Sequence, residues 1–221
     1  MAAALPDGVQ PDGRLKLIKT LKGVGRFLDF TVQDETLLVR WIARRFDRLG
    51  KRIGAQEARE LIFMTGGLMD RLASEIEKAA AHAKGEAVTM EDIRAVAHRL
   101  PEAGVFELTD RLAQRDFDGA AQTLAELLAM RDVEPIMLMA IIGQQFRRLY
   151  AARLALDDGL GSAYVERVTG IHHDFIIRKL MDAARRFSMA QLEATVVLCA
   201  EIDCRMKSTP TPPQELLKEF I

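Results

Sequence analysis

The strongest constraint on the fold of this chain is a long run, residues 135–157, in which apolar side chains recur at helical spacing. Residues three and four positions apart lie on the same side of an α-helix. The apolar positions of this run follow that rule: Ile136, Met139, Ile142, Phe146, Leu149, Tyr150 and Leu156. A second run begins at Ser188, where Ser-x-x-Gln forms a capping-box pattern. Chains of stacked amphipathic helices usually work by presenting surfaces to partners, so we expect the function to lie in assembly.

Shorter segments with the same periodicity cover the rest of the chain. Helices are predicted near 14–22, 34–49, 55–64, 68–84 and 89–99, and again near 105–114, 117–130, 162–168, 173–186, 189–207 and 213–221. Residues 100–104, which contain Pro101 and Gly104, are the clearest boundary between the two groups. Only residues 26–30 suggest a strand. The sequence therefore predicts an all-α fold.

Composition excludes several classes of protein. The chain has 221 residues, a net charge of −1 and 49% hydrophobic residues, which is ordinary for a globular protein and unlike a basic nucleic-acid coat. It shows neither a signal-peptide pattern nor an apolar stretch long enough for a membrane span. Cys199 and Cys204 would lie about 140° apart on one helix, so they are not expected to form a disulfide. These features indicate a cytoplasmic protein with no membrane partner.

No pattern typical of a reaction centre is present. The segment Gly23-Val24-Gly25-Arg26 lacks the later glycines of a dinucleotide fingerprint and the Gly-Lys-Ser/Thr of a P-loop. The four histidines are scattered, and neither cysteine has a histidine at metal-ligand spacing. None of the serines lies in a nucleophile elbow. We therefore predict no catalytic residue, no metal and no cofactor.

Two groups of basic residues are candidates for binding. Arg40, Arg44 and Arg48 recur every four residues and so form a stripe on one face of the helix predicted at 34–49. A solvated outer face would explain this stripe, but so would contact with an acidic partner or a nucleic-acid backbone. The apolar residues of that helix are predicted to point inward: Leu37, Leu38, Trp41, Ile42, Phe46 and Leu49.

The second group lies in residues 163–186, which have the outline of a helix–turn–helix with Gly170 in the turn. Its second helix carries Arg178, Lys179, Arg185 and Arg186. Helix–turn–helix outlines are common packing units, and the apolar residues of the same helix favour packing over reading of a DNA groove. A helical DNA-binding regulator that uses this segment is the alternative function.

A series of short motifs occurs in order along nearly the whole chain. They are the basic segment 14–22, Phe30, Trp41-Ile42, Thr65-Gly66-Gly67, Glu75-Ile76-Glu77-Lys78, Val88-Thr89-Met90-Glu91-Asp92-Ile93, Gln145-Phe146-Arg147-Arg148, Gly170-Ile171-His172, Ala184-Arg185-Arg186-Phe187-Ser188, and Glu201-Ile202-Asp203 before Lys207. In order and spacing they resemble the delta subunit of the bacterial DNA polymerase III clamp loader. The resemblance extends from about residue 13 to the end of the chain.

The resemblance implies that this chain is the end of a three-domain protein. Residues 1–30 would be a helix-and-strand remnant of an N-terminal AAA+-like domain, 31–100 an AAA+-type helical lid, and 101–221 a helical-bundle collar. Active AAA+ lids carry a sensor arginine, and the corresponding position here is Asp70. Arg71 is one residue away, which rotates a helical side chain by about 100°. The subunit would therefore be non-catalytic, within a DNA-directed DNA polymerase (nucleotidyltransferase) assembly.

The resemblance also implies partners for a role in loading the sliding clamp during DNA replication. Gamma/tau and delta-prime subunits would bind through the collar, the sliding clamp only through the missing N-terminal domain, and primer–template DNA indirectly. On the helix at 135–157, Arg147, Arg148 and Arg153 are expected to lie away from the inward residues. We therefore expect them to be available to a neighbouring subunit.

Overall fold

The computed structural model describes residues 12–24 and 33–220. These ranges belong to two compact units, which divide between Val32 and Gln33. In the first unit, helix α1 spans Lys16–Val24, close to the helix predicted at 14–22. The strand predicted at 26–30 lies outside the described residues.

The second unit is almost entirely helical, which confirms the predicted all-α class. Its first elements are α2 (Glu35–Arg48), β1 (Arg52–Ile53), α3 (Ala55–Thr65), α4 (Met69–His82), β2 (Ala87–Val88) and α5 (Met90–Val96). They are followed by α6 (Pro101–Ala113), α7 (Phe117–Leu128), α8 (Pro135–Asp157), α9 (Ser162–Thr169), α10 (Asp174–Ala184), α11 (Met189–Ser208) and α12 (Pro213–Lys218).

The sequence did not predict the two short strands. β1 and β2 pair in parallel, with Arg52 opposite Ala87 and Ile53 opposite Val88. Two residues are too few to show the alternation by which a strand is recognised. The ammonium group of Lys51 holds the neighbouring turn by donating to the carbonyl oxygens of Ala83 and Gly85, at 2.6 Å each.

Helices α2 to α5 enclose a hydrophobic core, called here the first core. On α2 it contains Leu38, Ile42 and Phe46, which are spaced by four residues. The prediction was wrong for Leu37 and Leu49, whose exposed fractions are 48% and 46%. Leu37 is rotated by about 100° from Leu38, which faces the core, and Leu49 is the C-cap residue beyond the last helical residue, Arg48.

Helices α6 to α12 enclose the second core, with α8 at its centre. The bounds predicted for α8 are confirmed, and its inward residues Ile142, Phe146 and Leu149 are at most 1% exposed. The ring of Phe146 makes edge-to-face contacts with Phe187, at 6.1 Å between centroids, and with Phe220, at 5.5 Å. Phe146 therefore joins α8 to the two ends of the segment that contains α11 and α12.

Helix α6 was predicted to begin near residue 105, but it begins at Pro101, inside the boundary segment 100–104. Pro101 is the first helical residue, a position where its missing N–H removes no intrahelical hydrogen bond. The helix continues through Gly104, where a Cβ atom would lie only 2.4 Å from Cδ2 of Leu127. This glycine lets α6 and α7 pack closely, so it is a packing residue rather than a turn residue.

We expect Phe146→Ala to lower the free energy of unfolding by about 3–5 kcal/mol, because truncation of a buried aromatic ring leaves a cavity. The matched control is Phe117→Ala. Phe117 is 53% exposed at the start of α7, so its truncation should cost less than about 1 kcal/mol. Urea denaturation of both variants measures the difference, and equal losses would contradict the assigned core.

The two cysteines should differ sharply in reactivity. Burial raises the pKa of the Cys199 thiol to about 12, whereas Cys204 is exposed. Because the thiolate is the nucleophile, iodoacetamide at neutral pH should alkylate one thiol in the folded protein and both after denaturation. Mass spectrometry counts the adducts, and Cys204→Ser should abolish the reaction of the folded protein. Rapid labelling of Cys199 in that variant would contradict its burial.

Candidate assembly surfaces

Helix α10 connects the two cores. Its apolar residues Ile177 and Leu180 are buried in the second core, while its first turn reaches the first core. There the backbone N–H of Phe175 donates to the carboxylate of Glu35 at 3.1 Å. That carboxylate also pairs with Arg59 at 2.6 Å. Glu35 thus ties α2 and α3 to the start of α10.

Lys179 makes a second connection between the cores. Its Nζ atom lies 3.8 Å from the centroid of the Phe63 ring and 3.3 Å from Oε2 of Glu60, both on α3. Phe63 in turn meets Phe106 of α6 edge-to-face, at 5.3 Å between centroids. These contacts were not predicted, because Lys179 and Glu60 are 119 residues apart and neither lies in a recognisable motif.

A cleft of about 480 Å³ lies at this junction. It is lined by equal numbers of acidic and basic side chains together with apolar ones: Glu60, Phe63, Met64, Arg94, Ala97, Arg99, Ala103, Phe106, Glu107, Asp110 and Lys179. Burial acts to raise the pKa of Glu107, but Arg111 and Arg99 outweigh it and lower this pKa. Burial also raises the pKa of Asp110, against the opposing effect of Arg186. Since the charges of the cleft neutralise one another, we interpret it as a structural junction.

The three arginines predicted for partner contact on α8 do not share a face. Arg147 is exposed. Arg148 is half-buried, and burial lowers the pKa of its guanidinium group, while the nearby carboxylate of Glu102 partly offsets this effect. The Nε atom of Arg148 has no hydrogen-bond partner within the described residues. Arg153 is paired with Asp157 at 2.6 Å, and its side chain is 27% exposed. The expectation that all three lie away from the packed side therefore holds fully only for Arg147.

Arg147 belongs to an exposed strip of α8. Ile136, Met137, Ala140, Gln144 and Arg147 are all exposed, and helix geometry places them within an arc of about 100°. The neighbouring helix α11 exposes Ala190, Ala194, Val197 and Glu201 on one side. We call these nine residues the α8–α11 face. It is largely apolar, since Ile136, Met137 and Val197 are 41%, 44% and 57% exposed.

The basic residues Arg40, Arg44 and Arg48, called here the α2 stripe, lie on the surface as predicted. All three are exposed, and none of them takes part in an ion pair or a side-chain hydrogen bond with another described residue. Beside the stripe is a groove of about 230 Å³, which we call the α2 groove. Its lining residues are Gln33, Leu37, Leu38, Arg40, Trp41, Arg44 and Met69.

The helix–turn–helix outline at 163–186 corresponds to α9 and α10, and most of its basic residues have partners in the chain. Lys179 contacts Glu60, Arg185 pairs with Asp182 at 2.6 Å, and Arg186 lies 3.5 Å from Asp110. Of the four basic side chains predicted for the second helix, this leaves Arg178 exposed without a described ion pair. The segment is therefore a packing unit between the cores, as its apolar residues favour.

The position that the resemblance aligns with a sensor arginine lies on the surface of α4. Asp70 and Arg71 are both exposed in the first turn of α4, where a carboxylate oxygen of Asp70 accepts from the backbone N–H of Arg71 at 2.8 Å. Residues 12–24 and 33–220 contain no group of three or more His, Cys, Asp or Glu side chains placed to hold a metal. Within the same ranges, no helix has the length and apolar character that crossing a membrane requires.

Comparison with known proteins agrees with the resemblance seen in the motifs. The family model "DNA polymerase III delta subunit, C-terminal domain" matches residues 102–221. A curated relative, DNA polymerase III subunit delta of Bacillus subtilis (strain 168), is 28% identical over 172 residues. This alignment covers 77% of the present chain and 49% of the relative.

A solved structure agrees as well. The Bacillus subtilis DNA clamp loader delta protein matches with a TM-score of 0.70 and 27% identity, over 96% of this chain and 62% of that one. The chain thus spans about half the length of the curated relative. Because the family model covers more than half of its residues, the chain belongs to the DNA polymerase III delta subunit family.

Proposed function

We propose that this chain acts in DNA replication as a non-catalytic part of a clamp loader, by assembling with other loader subunits. The observation that supports this most is the match of nearly the whole fold to a protein named as a clamp loader delta protein. The family match over the second core points the same way.

We further propose that the chain is divided by role. Residues 31–100, which contain the first core, would be an AAA+-type lid, and residues 101–221, which contain the second core, would be the collar that joins neighbouring subunits. Two separately packed cores, with Phe63 in contact with both, support this division. The boundary would then lie at the start of α6, where the chain passes from one core to the other.

The α8–α11 face is the best candidate for the collar contact. It combines exposed Ile136, Met137 and Val197 with two charged residues of opposite sign, Arg147 and Glu201. Apolar centres with an arginine are typical of protein interfaces. Gamma/tau and delta-prime subunits would be the partners. Arg148 and Arg153 would support the contact only indirectly, through the packing of α8.

We expect Val197→Asp and Arg147→Glu each to weaken binding to gamma-type and delta-prime-type subunits by at least about tenfold, as central interface changes often do. Because both residues are exposed, the melting temperature should stay nearly unchanged. The measurement is isothermal titration calorimetry of the purified chain with each subunit. Lys84→Glu is the control, since Lys84 is exposed in the turn before β2.

The same experiment tests both levels of the proposal. A wild-type chain that forms no complex with any loader subunit would contradict the clamp-loader role. Wild-type binding that neither variant reduces would leave that role in place and exclude the α8–α11 face.

A further inference from the structure

We propose that the α2 stripe and the α2 groove together form a second docking site, for an acidic protein segment with an apolar centre. This site is separate from the α8–α11 face, because it lies on the first core. The proposal rests on the clamp-loader role only in the choice of partner for its test.

The charges of the stripe are not neutralised within the described chain. Arg40, Arg44 and Arg48 recur every four residues on α2, and like charges at that spacing repel one another. Nine of the seventeen other arginines in residues 33–220 have carboxylate partners: Arg52, Arg59, Arg94, Arg99, Arg111, Arg153, Arg185, Arg186 and Arg205. An acidic ligand would remove this repulsion. Successive arginines rise by about 6 Å along the helix axis, the same rise as carboxylates one turn apart on a partner helix.

The α2 groove exposes apolar side chains, which a partner would have to cover. Leu37 is 48% exposed and Met69 is 39% exposed, and both line the groove with the half-buried ring of Trp41. Leu68, next to Met69 in the chain, is 58% exposed. Trp, Met and Arg are enriched at protein–protein interfaces. A partner that only neutralised the arginines would leave this apolar surface in water.

A nucleic-acid backbone fits these observations less well. Phosphates could pair with the arginines, but they offer nothing to Leu37 and Met69. The chain as a whole has a net charge of −1, so it lacks the broad positive field of most nucleic-acid-binding domains. The ring of Trp41 is also already occupied on one side, because the guanidinium group of Arg45 lies 4.9 Å from its centroid. An amphipathic acidic helix satisfies both the charges and the apolar groove.

The test uses three variants of the full chain. Arg40→Glu combined with Arg44→Glu reverses the stripe, and Leu37→Ser removes the apolar contact. Lys84→Glu combined with Arg131→Glu is the matched control, since both residues are exposed and lie outside α2 and its groove. Thermal melts establish that each variant folds. Affinity for gamma-type and delta-prime-type loader subunits is then measured from about 50 to about 300 mM salt, where charge contacts are increasingly screened. Binding of a labelled primer–template DNA is measured in parallel.

We expect Arg40→Glu combined with Arg44→Glu to weaken binding of at least one loader subunit by about tenfold or more at low salt. The affinity of this variant should also depend less on salt than that of the wild type. Leu37→Ser should also weaken that binding, and the control should not. Wild-type affinity in both test variants overturns the proposal but not the clamp-loader role. If the stripe reversal reduces only DNA binding while Leu37→Ser changes nothing, the site is a nucleic-acid surface and the proposal is wrong. If the wild type binds no loader subunit, both proposals fail.

Discussion

The arrangement of the two cores depends on α10, because this helix is packed in one core and anchored to the other. Ile177 and Leu180 bury its apolar side, and Glu35 and Glu60 accept from its first two turns. Lys179 is 41% exposed on its side chain, so its pairing with Glu60 is screened by solvent and modest by itself. The junction holds the two cores together because three contacts act on the same helix. They are the contact of Lys179 with the Phe63 ring, its ion pair with Glu60, and the backbone hydrogen bond from Phe175 to Glu35.

The helices of the second core could be predicted closely, because apolar residues recur in them at helical spacing over long segments. α8 repeats its inward residues over many turns, and the capping box of Ser188 and Gln191 marks the start of α11. Errors occurred where local signals were ambiguous. A proline can follow the end of one helix or begin the next, so the residue type alone could not show that α6 begins at Pro101. The short pair β1–β2 depends on a contact between distant segments and leaves no local pattern.

The candidate surfaces were predictable only in part, for a similar reason. The exposure of Arg40, Arg44 and Arg48 follows from their spacing opposite Leu38, Ile42 and Phe46, which a single helix determines. The environment of an individual arginine does not follow from its own helix. Arg147 and Arg148 are neighbours in sequence, yet only Arg148 is half-buried, on the side where Glu102 of α6 lies. Such differences depend on which helices pack against α8, and the spacing of apolar residues along the sequence does not reveal this.

The distribution of charge separates the structural surfaces from the candidate binding surfaces. At the junction, acidic and basic side chains alternate and neutralise one another, as Glu60 does with Arg94 and Lys179. Such pairs fix an orientation and leave little net charge to attract a ligand. On α2 and on the α8–α11 face, by contrast, arginines stand next to exposed apolar side chains without carboxylate partners among the described residues. Since the whole chain is nearly neutral, binding at the two proposed surfaces would depend on these local combinations of charge and apolar surface and not on a long-range field.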